Sequence, residues 1–307
     1  QISLILSGVK SNDEVLTQAL TFVATANSIA YTGANPVFID VDRDTMGLSP
    51  DALEQFLIKN VELRDDGCYN KVTKAKISAC VPMHTFGFMC RIDKIVKICK
   101  EWKIPVIEDA AEALGSSYKG KPSGSFGLLS AFSLNGNKII TSGGGGAITT
   151  NNEAIADQAK HLTTTAKIPH KWEYFHDRVG YNYRMPNLNA ALGYSQIKKI
   201  KNLIKQKKKL SNKYEKIFNT SKNIIFIKDE KFSNSNFWLN FIEIKNCKVK
   251  QRNKILDYLN DKGIQARPVW DLLSELPMYK KYCKDKMVEA KKIANKVILL
   301  PSSSIYG

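Results

Sequence analysis

Residues 104–147 read IPVIEDAAEALG, SSYKGKPSGSFGLLSAFS and LNGNKIITSGGGGA in succession. The run at 104–108 is short, mostly apolar and preceded by a Lys/Trp/Pro break, as a strand buried in a parallel sheet is. Asp109 falls where that strand ends, and open α/β sheets bind ligands at that edge. A second apolar run, 128–132, ends at Ser133. Lys138 follows five positions later, and four glycines occupy 143–146. An acid, a hydroxyl and a lysine therefore each stand at or just past a strand end.

Singly, each has an ordinary explanation. An Asp at a strand end caps the next helix, and most lysines are solvated. Together they form the set that pyridoxal phosphate (PLP) requires. A lysine amine carries the cofactor covalently, a carboxylate keeps the pyridine nitrogen protonated, and donors neutralise the phosphate. The stretch EDAAEALGSSYKGKPSGSFG followed by FSLNGNKIITSGGGGA resembles the sugar-nucleotide aminotransferases of the DegT/StrS type, which have the fold type I PLP architecture. The resemblance implies that Asp109 pairs with the pyridine nitrogen and that Glu112 sits near the ring's 3-hydroxyl. It implies further that Ser133 contacts the phosphate and that Lys138 carries the cofactor. Leu134 stands where the family more often has Phe.

A chain of 307 residues is long enough for a large core and two domains. Its 43% hydrophobic and 24% charged residues are those of a soluble globular protein. No run of 18 apolar residues predicts a membrane span, and no secretory signal is expected. The six cysteines form no CxxC pair and the four histidines are scattered. We therefore expect free thiols in a reducing cytoplasm and no metal site. The net charge of +17 raises nucleic-acid binding, but no nucleic-acid-binding signature accompanies it. Lysine is spread along the chain with many Asn and Ile, a compositional bias, so no nucleic-acid partner is expected. A positive field suits an anionic nucleotide sugar.

Along the chain, QISLILSGV reads as a helix end and 15–17 as a strand, with a helix from about residue 21. The resemblance implies that Phe22 stacks on the pyridine ring; otherwise it is a core residue. Residues 35–42 read as a strand with Asp40 and Asp42 as polar caps. Ser49-Pro50-Asp51 opens a helix, and 59–74 reads as an exposed polar insertion. A buried strand at 76–83 ends at His84, which the resemblance places near the active site as a proton shuttle, a substrate-lining residue or a structural one. Residues 93–102 are helical. Strands alternating with helices predict a mostly parallel sheet.

Residues 147–150 read as a strand, 152–162 as a helix and 163–179 as a loop of the length that serves function or assembly. GYNYRMPNLNAALGYSQIKKI, at 180–200, is a second family signature. It implies a homodimer in which Asn182 and Arg184 reach the neighbouring subunit's cofactor and substrate phosphates, a task suited to the guanidinium fork. Asn187 opens one long Lys-rich helix. Short strands at 223–227, 237–244 and 265–270, with a helix at 250–261 closed by Gly263, predict a small α+β domain in which Trp238, Arg267 and Trp270 are candidates to line the cleft. A family phosphate motif upstream of Gln1 and a final helix beyond LPSSSIYG are both missing, so a chain truncated at both ends is expected.

The expected fold is α/β, fold type I, with a large PLP-binding domain at 1–200 and a linking helix plus small α+β domain at 201–307. The expected activity is transfer of an amino group from glutamate to a 4-keto-6-deoxy, N-acetylated sugar nucleotide. TMGLSPDALEQFL, CVPMHTFGF, HLTTTAKIPH and YNYRMPNLNAALG resemble the branch that serves nonulosonic (legionaminic-type) acid synthesis. Family members that act as dehydratases have His in place of the lysine, so Lys138 points to transamination. A catalytically impaired PLP-fold binding or regulatory protein is the alternative.

Overall fold

The computed structural model describes residues 1–303; part of the LPSSSIYG end, 304–307, lies outside the described residues. α1 (Ile2–Leu6) leads to β1 (Glu14–Gln18), α2 (Val23–Ala30), β2 (Asn35–Ile39) and α3 (Pro50–Asn60). A hairpin, β3 (Val61–Arg64) and β4 (Gly67–Asn70), precedes β5 (Lys76–Val81), α4 (Ile92–Glu101) and β6 (Ile107–Asp109). A second hairpin, β7 (Ser117–Tyr118) and β8 (Lys121–Pro122), separates β6 from β9 (Leu129–Ser133), β10 (Gly146–Thr149) and α5 (Glu153–Thr163).

β1 pairs in parallel with β2 on one side and β5 on the other. β5 reaches β6 through parallel bridges, Cys80 to Val106 and Met83 to Asp109, and β6 pairs in parallel with β9. Two strands reverse direction, β4 against β5 and β10 against β9. The sheet is thus mostly parallel, as the alternating pattern predicts, and the C-terminal ends of β1, β5, β6 and β9 share one edge. Side chains alternate between its faces. Leu16, Ile39 and Cys80 pack with Leu53, Phe56 and Ile95 of α3 and α4 on one side. Val15, Ala79 and Ile107 pack with Leu4 and Ile29 of α1 and α2 on the other. α3 starts as its sequence predicts: Pro50 follows Ser49, whose side chain accepts from Ala52 N.

α6 (Asn187–Ile197) and α7 (Ile200–Phe218) follow, then β11 (Ile224–Phe226), β12 (Ser233–Asn234), β13 (Asn240–Ile244) and α8 (Val249–Asp261). The described chain closes with β14 (Arg267–Pro268), α9 (Val288–Lys296) and β15 (Val297–Leu300). β11, β13, β15 and β14 form an antiparallel sheet of their own. One apolar cluster joins this C-terminal part to the parallel sheet: Leu20, Phe38 and Phe86 pack with Phe241, Val269 and Ile293. Asp40 reinforces that junction by accepting from Glu289 N and Ala290 N, at 2.9 and 2.8 Å, in the first turn of α9.

Three sequence expectations are corrected. Residues 59–74 hold the hairpin β3–β4, in which three of the four residues of β3 are exposed while Cys68 and Asn70 of β4 are buried. The single long helix is two helices, broken at Lys198 and Lys199. Phe237 and Trp238 precede β13; Phe237 has φ +50°, which no strand residue adopts. α9 and β15 carry no sequence prediction. No helix among the described residues is long and apolar enough to cross a membrane.

Candidate active site

Asp109 ends β6, opposite Ala131 of β9. Ser133, two residues beyond Ala131, ends β9. With a period of two, Asp109, Ala131 and Ser133 point to the same face of the sheet. Thr25, in the first turn of α2, donates to Asp109 Oδ2 at 2.7 Å, and Ala111 N donates to Oδ1 at 3.1 Å. One donor on each oxygen fixes the carboxylate plane. Phe22 caps the N-terminus of α2, so its ring stands one turn from Thr25, half exposed and 6.3 Å from the Trp270 ring.

Glu112 lies three residues past Asp109 and is buried. Its Oε2 accepts from Phe86 N at 2.8 Å. Phe86 and Gly87 take φ values of +59° and +93° to aim that N–H inward. The other oxygen, Oε1, is buried and has no hydrogen-bond partner among the described residues. Lys138 Nζ lies 3.5 Å from it, within reach of an ion pair and at the outer limit for a hydrogen bond. Burial pushes the Glu112 carboxyl up to about 8, against the opposing pull of Lys138. A carboxyl of this kind holds a proton near neutral pH. Lys138 sits just past a turn in which its N–H donates to Asn135 O at 3.1 Å.

These residues fit PLP. An orphaned, buried carboxyl oxygen offers a partner to the cofactor's phenolic hydroxyl. A fixed carboxylate suits the ring nitrogen, a half-exposed phenyl ring offers a face, and the Lys138 amine beside Glu112 is the one to take up the aldehyde. Ser133 Oγ accepts from Asn135 N at 3.3 Å and keeps its own proton to donate to a phosphate.

Of the roles expected of His84, substrate lining and proton shuttling give way to the structural one. It is fully buried, with Nε2 3.0 Å from Glu108 Oε2 and Nδ1 3.4 Å from Cys90 Sγ. Burial alone would lower it, but Cys90 and Glu108 raise it to about 10. Glu108 also accepts from Gly124 N, Phe126 N and Gly127 N at 2.7–2.9 Å. No surface of His84 is left for a substrate or a mobile proton; its role here is to tie β5, β6 and the 124–127 loop together.

Asn182 and Arg184 are exposed. They line a cavity of about 1080 Å³ together with Phe132, Gly145 and Asn189; Asp109, Glu112 and Lys138 are not among its lining residues. Around Asn182 and Arg184 lies apolar surface: Trp172, Tyr174, Phe175, Val179, Tyr183 and Leu188 are each more than half exposed. Among the cleft candidates, Trp270 packs on Phe86 at 4.8 Å, Trp238 covers Lys138, and Arg267 is exposed on β14. Thr25 was missed, because nothing in the string VATAN marks a carboxylate partner.

The model of the DegT/DnrJ/EryC1/StrS aminotransferase family matches residues 1–305. A GDP-perosamine synthase of Escherichia coli O157:H7 is 36% identical over 290 residues, which cover 94% of this chain and 74% of that one. The protein Spr1654 of Streptococcus pneumoniae, solved in its PLP form, superimposes with a TM-score of 0.84 and 26% identity over 98% of this chain and 79% of that one. PseC of Helicobacter pylori, an aminotransferase of pseudoaminic acid biosynthesis, gives a TM-score of 0.88 at 24% identity, covering 99% of this chain and 78% of that one.

Proposed function

The chain belongs to the DegT/DnrJ/EryC1/StrS aminotransferase family, and on that premise we propose that it moves the amino group of glutamate to the C4 keto group of an N-acetylated 4-keto-6-deoxy sugar nucleotide. The product would feed nonulosonic, legionaminic-type acid synthesis. The cofactor of the family is PLP. The observation that carries the reading is the meeting of Lys138 Nζ with the orphaned Glu112 Oε1 at 3.5 Å, one strand end from the doubly held Asp109.

When bound, PLP supplies an aldehyde that carries the amino group between donor and acceptor and a ring that takes up the electron pair of a broken C–H bond. The chain supplies the rest. Asp109 keeps a proton on the ring nitrogen, and Thr25 and Ala111 stop the carboxylate from turning away. Glu112 holds the 3-hydroxyl. Lys138 Nζ takes the proton from Cα of glutamate and, in the second half-reaction, delivers a proton at C4 of the sugar. Phe22 covers one face of the ring, and Ser133 donates to the phosphate.

Asn182 and Arg184 complete the site of a second copy in a homodimer. The exposed apolar surface around them is of the kind that protein partners cover, and an isologous dimer places each copy's arginine beyond its own boundary. We read α7 as the link between a large domain at 1–200 and a smaller one at 201–307. A cytoplasmic setting goes with the six free cysteines. The sugar class rests on the motifs at 45–57, 80–88, 161–170 and 181–193 together with the sugar-handling relatives.

The test is amine formation from glutamate and a panel of 4-keto-6-deoxy nucleotide sugars with and without an N-acetyl group. Amine on the acetylated sugars, with parallel double-reciprocal lines, is expected. Preference for the unacetylated sugars overturns the branch, and intersecting lines or no amine from any sugar overturns the transaminase reading.

A further inference from the structure

Lys138 meets a group from far along the chain. The segment before β13 crosses over the strand-end edge and is fastened there at each residue. Ser235 Oγ donates to Gly87 O at 3.0 Å. Asn236 N donates to Ser116 Oγ at 3.0 Å, and its side-chain amide donates to the carbonyls of Glu112 and Leu114 at 2.8 and 3.0 Å. Asn236 Oδ1 accepts from Trp238 N at 2.8 Å. Between them Phe237 takes φ +50°, which turns the Trp238 side chain inward.

The indole is then held at both ends. Its N–H donates to Asn137 O at 2.7 Å. The backbone carbonyl of Trp238 accepts from Lys207 Nζ of α7 at 3.0 Å, and the same ammonium donates to Ser302 O at 2.5 Å. Over the ring face, 4.1 Å from its centroid, stands Lys138 Nζ. An ammonium is drawn to the electron-rich face of an indole, most of all where water is excluded. Trp238 is 6% exposed, and the Lys138 side chain 13%.

We propose that Trp238 is a positioning residue for Lys138: its ring face holds the amine, and its N–H fixes the carbonyl of the residue before it. The inference rests on Lys138 being the reactive lysine. A lysine that moves protons must return to one place each time it is free, and a flexible four-carbon stem does not ensure this by itself. Glu112 holds the amine from one side and the indole from another. Lys207 extends the arrangement to α7, so the C-terminal part of the chain sets the position of a group in the parallel sheet.

The test reads the cofactor-free chain first. The rate at which trinitrobenzenesulfonate labels Lys138 is followed against pH by peptide mass spectrometry, which gives the midpoint of amine deprotonation. Fluorinated tryptophans weaken the ring face without changing its shape, so folding is kept. The labelling midpoint is expected to fall stepwise with fluorination, by about half a unit to one unit in total. It should not move with fluorination in a Trp238→Phe background, where only Trp102, Trp172 and Trp270 remain to be substituted. In the PLP-loaded protein, Trp238→Leu should slow the glutamate half-reaction about fivefold or more, with the glutamate KM within about twofold, and Trp238→Phe should recover part of the loss. A midpoint that stays flat or rises with fluorination, or Leu and Phe variants of equal rate, overturns the proposal. If wild-type Lys138 takes up no PLP, the PLP reading fails, while the labelling series still decides what the indole does to the amine.

Discussion

Glu112 is a residue whose surroundings strongly alter its chemistry. Its carboxyl is raised by burial to about 8 from the usual 4.5. In the cofactor-free protein the folded state therefore binds a proton that the unfolded state has lost, and the stability this contributes is full below about pH 4.5 and lost as pH rises through about 8. Denaturant titrations of wild type and Glu112→Gln should show their stability difference moving in that sense across that window. Lys207 has the opposite sign. Burial lowers it to about 8 from 10.5, so the folded state holds fewer protons and stability rises with pH between those values. Lys207→Met should flatten that rise, as read by the same titrations. Lys138→Ala removes the amine altogether, and turnover should drop by roughly a thousandfold or more, measured as amine product with PLP and glutamate present. Asp109, Glu112 and Lys138 were readable because they lie within thirty residues of one another, at the ends of two apolar runs. Trp238 was readable only as a cleft-lining candidate in a strand at 237–244, since its partner lies a hundred positions away.

At the scale of elements, what holds the site is a set of unusual turns. Gly87 sits at φ +93°, and a Cβ there would stand 1.9 Å from Asn236 Oδ1 and 3.2 Å from Glu112 O. Gly87→Ala should therefore cost about 2–4 kcal/mol by denaturation, from backbone strain and displacement of a buried amide, and should weaken PLP binding through Glu112. Ser49→Ala is the contrast. It removes the N-cap of α3 and should cost about 1 kcal/mol with turnover unchanged. Apolar runs bounded by breakers located β1, β2, β5, β6 and β9, because strands buried on both faces leave a continuous signal. The hairpin β3–β4 left none, since three of the four residues of β3 are exposed. The break between α6 and α7 falls on two lysines, which are good helix formers, so tertiary packing decides it. His84 looked like a chemical group at a strand end. Its pairing with Glu108 depends on adjacent strands, which one strand's sequence does not show.

For the whole molecule, the proposal that Asn182 and Arg184 serve the site of a second copy has a direct consequence. If each site draws on two copies, neither Lys138→Ala nor Arg184→Ala is active alone, yet a mixed dimer carries one intact site. Equal mixing with random exchange should restore about a quarter of wild-type activity, and variants that never complement would show that each site is complete within one chain. Two patterns laid out this fold: alternating strands and helices for the parallel sheet, and short strands for the C-terminal part. Their junction, through Asp40, Phe38 and α9, needed the structure.

The central claim is that Lys138 carries PLP in the pocket made by Asp109, Glu112 and Trp238. Incubation with PLP, borohydride reduction and peptide mass spectrometry test it most directly, because reduction makes the bond between lysine and cofactor permanent. The account predicts the added mass on the peptide containing Lys138 and on no other. Label on a different lysine, or none on Lys138, would contradict it.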